Sequence, residues 1–249
     1  MPYDFSPLKA ELKLCRTAGM AIPIWWRDDD AIQATNALDQ LLTLADEVTC
    51  PVHLATIPAF ADRSLVETTD DRLARILVHG WAHADSSLPE AKKSEFGRVR
   101  PDVFYDLERA QHRMNRLFGT RVWPMFVPPW NRIDLSVLQR LPNIGFSAVS
   151  AFGPRSEPIA NLAQINTHID PIFWRGTRDL QDPDLLIEQT VQVLQDRREQ
   201  KTNANEPLGL LTHHLVHTCA IWDFSRAWLL EMLSGGAHVW KHDQKGDWP

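Results

Sequence analysis

Short apolar runs alternate with amphipathic stretches along the whole chain. Ala21-Ile22-Pro23-Ile24-Trp25-Trp26, Val52-His53-Leu54-Ala55-Thr56-Ile57, positions 73–78 and Val122–Val127 read as strands buried on both faces. Helical patterns separate them. Ser6-Pro7 opens a first helix that Gly19 closes, and Thr35-Asn36 leads into a stretch with Leu38, Leu41, Leu42 and Ala45 on one face. A further helix spans 102–118 with Gly119 as its stop, and another spans 183–201, with Asp182 as cap and Pro183 in its first turn. Shorter strands are expected at 146–150 and 162–169, a last strand at 208–212, and a last helix at 224–233 ended by Gly235-Gly236. The charged stretch 86–101, with Pro89 and Pro101, reads as a long loop whose centre, Glu95-Phe96-Gly97, would lie over a site as a lid. Strand and helix in alternation imply βα units around a parallel sheet. About seven strands make the expected fold α/β, a distorted (β/α) barrel forming one domain over 1–249, with 241–249 a peripheral polar tail.

Composition narrows the function classes. The 249 residues carry a formal net charge of -6. Lys and Arg are scattered, and the densest group, Arg197, Arg198 and Lys201, is interleaved with Asp196 and Glu199. No basic face suited to nucleic acid emerges. The three cysteines, Cys15, Cys50 and Cys219, are far apart and odd in number, which gives neither a disulfide framework nor a thiolate metal site. Behind Met1 no basic segment leads into an apolar core, and no apolar run approaches membrane-spanning length. The expectation is a soluble, cytoplasmic protein with a small-molecule or oligosaccharide substrate and no membrane partner.

Candidate chemistry sits where the apolar runs end. Asp28-Asp29-Asp30 follows the first, and His79-Gly80-Trp81-Ala82-His83 follows the third. Adjacent carboxylates repel one another, and a cation is an economical way to hold two of them in a partly buried site. One carboxylate and two imidazoles are three protein ligands, leaving a zinc-like ion an open position for water. Bland alternatives stand beside this: an acidic helix start for the aspartates, and a hydrogen-bonded pair around Trp81 for the histidines. A zincin protease is disfavoured, because Gly80 stands where its Glu would follow the first His. In Thr212-His213-His214-Leu215-Val216-His217, strand alternation puts Leu211 and His213 on one side and His214 on the other. A strand-end histidine facing the site can protonate a leaving group, or simply bond to backbone.

Taken in order, these segments resemble the polysaccharide deacetylase family, carbohydrate esterase family four. Its first motif is an Asp-Asp pair after a strand, its second His-x-x-x-His, and its last an apolar strand ending in His. The resemblance, carried by residues within 22–217, implies a divalent metal, zinc by expectation, held by Asp30, His79 and His83. It makes Asp29 the general base and His213 the catalytic acid. Phe126-Val127-Pro128-Pro129-Trp130-Asn131 resembles the third motif, and Asp170-Pro171-Ile172-Phe173-Trp174 loosely the fourth. Pro129, Trp130, Trp81 and Trp174 would then line the substrate pocket, and Asp170 would orient His213. Two departures stand out: the third-motif Arg is Val127, and the following Gly is Asn131. Arg27 is the candidate to supply the missing charge. The implied activity is removal of an acyl group, N-acetyl first, from a carbohydrate or small glycoconjugate. Rival expectations are an allantoinase-like C–N hydrolase on the same scaffold and a catalytically silent sugar-binding protein.

Overall fold

The four apolar runs become the centre of a single sheet. The structure is a computed structural model that describes residues 3–241. Its strands are β1 (Pro23–Ala31), β2 (Val52–Thr56), β3 (Ala74–His79), β4 (Val122–Val127), β5 (Ala148–Val149), β6 (Ala163–Gln164), β7 (Leu208–Thr212) and β8 (His238–Val239). They run in the order β6-β5-β4-β3-β2-β1-β7, with all pairs parallel, and β8 joins the start of β1. The edges approach through an irregular segment after β6: Ile169 bridges Leu210, and the Leu211 N–H donates to the Ile169 carbonyl. The result is a distorted barrel. The expected 162–169 strand survives as two residues and three isolated bridges, at Leu162, Thr167 and Ile169.

Helices wrap the outside: α1 (Ser6–Thr17), α2 (Asn36–Glu47), α3 (Arg63–Thr68), α4 (Val103–Phe118), α5 (Leu135–Leu138), α6 (Leu141–Ile144), α7 (Pro183–Arg198) and α8 (Cys219–Ser234). Local caps define several starts, such as the Thr35 side chain accepting from the Leu38 N–H at 3.0 Å. α8 begins earlier than its apolar pattern suggests, because Thr218 caps it. The short helices α3, α5 and α6 lack the two turns that a periodic signal needs. All of the expected 241–249 tail except Lys241 lies outside the described residues.

Strand alternation divides the core in two. Trp25, Ala55, Leu77, Met125, Val127 and Ala148 pack together inside the barrel. Trp26, Leu54, Ile76, Val78 and Phe126 pack outward against the helices. The barrel interior also holds His53, whose ring lies edge-on to Trp25 and Trp123 at 5.2 Å. Toward the C-terminal ends of the strands the inward positions turn polar, at Asp29 and His79. That is where βα loops can surround a site.

Candidate active site

β1 carries its polar residues within the strand, not beyond it: Arg27, Asp28 and Asp29 are all buried. Regular alternation would put Asp28 and Asp30 on the outer face and Asp29 on the inner one. A bulge changes this. The β1–β2 register shifts between Asp29 and Ala31, and Asp30 has φ +75°. Asp29 and Asp30 therefore both line one cleft of about 800 Å³, together with His79, His83, Trp130, Asp170, Trp174 and His213.

Asp30, His79 and His83 converge, their candidate ligand atoms all lying within 4.8 Å of one another. Asp30 Oδ1 is 3.2 Å from His79 Nε2 and 3.4 Å from His83 Nε2. The His79 Nδ1–H donates to the Val127 carbonyl at 2.9 Å, which leaves Nε2 facing Asp30 as a lone pair. Asp30 Oδ1 is itself buried without a hydrogen-bond donor. Lone pairs this close need positive charge between them, either protons on the imidazoles or one divalent cation. Burial would raise the Asp30 carboxyl, but contact with His79, and the charges of His213 and His83, hold it well below the usual carboxylate range. The three residues thus fit a cation by donor type, convergence and an unsatisfied oxygen.

The His79–His83 segment is a turn held from outside. Gly80 and His83 are left-handed, at φ +59° and +52°. Glu95 is buried, and its carboxylate accepts from the backbone N–H groups of Trp81 (3.1 Å), Ala82 (2.9 Å) and His83 (3.1 Å). A Cβ on Gly80 would overlap Glu95 and the Pro129 ring. Pro129 accordingly packs beneath the turn and does not line the cleft. Trp81 does not line it either. Its ring lies under the Arg109 guanidinium of α4 at 3.9 Å and packs on the outer core, because the turn at Gly80 directs it away. Nor is the centre of 86–100 a lid: Glu95 and Phe96 are buried, and Phe96 bridges Ile133.

Asp29 is fixed by its own strand. Arg27 Nε and Nη2 donate to the two Asp29 carboxylate oxygens at 2.8 and 3.0 Å. The same guanidinium reaches Ser150 Oγ at 2.6 Å and Asn131 Oδ1 at 2.8 Å. Asp28, on the outer face, accepts from Thr212 Oγ1 (2.6 Å), from the His214 backbone N–H (2.9 Å) and from His214 Nδ1 (2.5 Å). His213 stands between these two anchored residues. Its ring meets Trp174 edge-on at 4.7 Å, and Trp174 Nε1 donates to Asp170 at 2.8 Å. His213 Nδ1 is buried without a hydrogen-bond partner. Asp170 therefore does not orient His213 by a direct bond; it holds the indole against which the imidazole packs.

No family model and no curated protein sequence matches the chain. Solved structures do match. A Mycobacterium smegmatis protein described as a polysaccharide deacetylase aligns over 86% of this chain and 84% of its own, at 16% identity and a TM-score of 0.61. A family 4 carbohydrate esterase from Streptomyces lividans, in complex with acetate, aligns over 91% and 95%, at 12% identity and 0.57. The fold is that of the polysaccharide deacetylases. A pseudoenzyme of carbohydrate esterase family four from Bacillus anthracis also aligns, over 88% of this chain and 63% of its own, at 12% identity and 0.58. Identities this low speak for the deacetylase fold and leave the chemistry to the residues. In this chain Val127 is uncharged, and the charge beside Asp29 is that of Arg27 on β1, from which Asn131 also accepts. Sequence reading put Glu95 at the centre of a lid and missed its role under the turn, and it missed Ser150 and the Asp28–His214 pair. Only the run of three carboxylates hinted that one of them had another partner.

Proposed function

We propose that the chain is a metal-dependent hydrolase that removes an acyl group, N-acetyl in the first instance, from an amino sugar or small glycoconjugate. The observation that carries this reading is the β1 bulge, which turns Asp29 and Asp30 into one cleft with His79, His83 and His213. Asp30, His79 and His83 would hold a divalent cation, zinc by donor set. When bound, such an ion lowers the pKa of water and polarises an acyl carbonyl. Asp29, its carboxylate plane set by Arg27, takes the proton of the attacking water. The Trp130 backbone N–H is a candidate donor to the developing oxyanion. His213, across the cleft, delivers a proton to the departing amine, so the C–N bond breaks to give a free amine and a carboxylate. The half-exposed Trp174 ring and the Trp130 ring offer apolar faces on which a sugar can stack. These aromatic faces support a sugar as the substrate. Retention of all five candidate residues supports an active enzyme over a silent binder.

The test is metal content of the purified chain beside His79→Ala and Asp30→Ala, followed by acetate release from N-acetylated sugars. About one divalent ion per chain, lost in both variants, is expected. Absence of bound metal after loading with zinc, or acetate release that survives both substitutions, would sink the reading.

A further inference from the structure

A second hollow of about 560 Å³ adjoins the cleft, and the two share Asn131, Arg132 and Phe152. Its charged lining residues are Lys92, Arg98 and Arg132, with no carboxylate among them. The mouth of the cleft adds Arg175 and Arg178. Among the described residues, none of these five cations is in an ion pair, although the chain carries a net charge of -6. Of the carboxylates of the cleft, Asp29 is clamped by Arg27 and Asp170 accepts from Trp174, while Asp30 faces His79 and His83. Arg98 and Arg132 are also oriented, not loose: Arg98 Nε donates to the Ser86 carbonyl and Arg132 Nη1 to the Lys93 carbonyl, both at 2.7 Å. Each keeps further N–H groups free for an acceptor. Phe152, 40% exposed at the junction, offers a ring face beside them.

We propose that the adjoining hollow binds a phosphate group of the substrate, so that the cleft acts on a phosphorylated N-acyl sugar. The proposal rests on the hydrolase reading for the cleft and adds to it the class of substrate. Several guanidinium forks and an ammonium offer more donors than the two oxygens of one carboxylate can accept, and a phosphate or diphosphate matches them better. Arg132, on the boundary shared by both hollows, is placed to touch the phosphate while the sugar lies over Trp174.

The test separates this binding from turnover. Equilibrium binding of N-acetylglucosamine 1-phosphate and of neutral N-acetylglucosamine would be measured on EDTA-treated chain at two salt concentrations. A Kd for the phosphorylated sugar at least tenfold lower is expected, with the advantage shrinking at high salt. The double variant Arg98→Gln/Arg132→Gln, checked for an unchanged Tm, should abolish the preference. Equal affinity for the two sugars, or a preference that survives the double variant, overturns the proposal. Because the assay needs neither metal nor catalysis, failure of acetate release alone falls on the hydrolase reading and not on this one.

Discussion

At the scale of single residues the site depends on buried charges placed against specific partners. Arg27 is fully buried, and Asp29 is its only carboxylate partner among the described residues. Replacing one member of such a pair strands the other, which costs about 3–5 kcal/mol. Arg27→Gln is therefore expected to lower the unfolding free energy obtained from urea titration by that amount and to remove most activity. Full stability in the variant would mean that the clamp is not formed in solution. Asp28 serves differently, since its oxygens tie Thr212 and His214 on either side of His213. Asp28→Asn should reduce kcat about tenfold to a hundredfold while KM and metal stoichiometry hold, as for other groups that orient a functional neighbour. A change in metal content with kcat intact would argue against a positioning role.

At the scale of elements, strand ends and turns set the ligands. The His79–His83 turn combines left-handed Gly80 and His83 with three N–H groups aimed at one carboxylate. Glu95→Ala leaves those donors without their acceptor, at a cost of about 1–3 kcal/mol. It should also weaken metal affinity about tenfold to a hundredfold. Competition with a chromophoric chelator would measure this, and an unchanged affinity would show that the turn holds without Glu95. Positive φ recurs around the cleft at Asp30, Trp130 and Asn131. Such conformations for non-glycine residues cost of order 1–3 kcal/mol each and persist only where the surroundings impose them. Their gathering at one cleft is what a preorganised site requires.

At the scale of the whole molecule the barrel interior sets a pH dependence. Burial pushes the His53 imidazole down to about 3, while its Nδ1–H donates to the Trp26 carbonyl at 3.1 Å. The unfolded chain takes up a proton there near pH 6.5, and the folded chain does so only near pH 3. Its contribution is thus complete above about pH 6.5 and is lost as pH falls through that window, by up to about 1.4 kcal/mol per unit. His79 and His214 titrate in the opposite sense, because carboxylates against them raise their values despite burial. The difference between wild type and His53→Gln isolates the effect. Unfolding free energy of the variant should fall less steeply from pH 6 to pH 4, and identical slopes would refute the assignment. On the same scale, no helix among the described residues is long and apolar enough to cross a membrane.

The sequence by itself determined the main strands, the long helices and the candidate chemistry. Val122–Val127 is a strand with the bounds its pattern implies, and the Asp-rich and His-rich segments fall at strand ends. Those signals are local: alternation and capping act over a few residues, so one chain read alone displays them. Tertiary structure decided which groups meet. The bulge that brings Asp30 beside Asp29 is a register shift against β2, which alternation within β1 cannot reveal. Arg27 finds Asn131 and Ser150 at separations of 104 and 123 residues, and no periodicity encodes such contacts. Trp81 was a plausible pocket wall by sequence position, yet the turn at Gly80 sends it to Arg109. Residue type and spacing are properties of the chain, whereas direction is a property of the fold, and at this site direction separates the residues lining the cleft from those that support it.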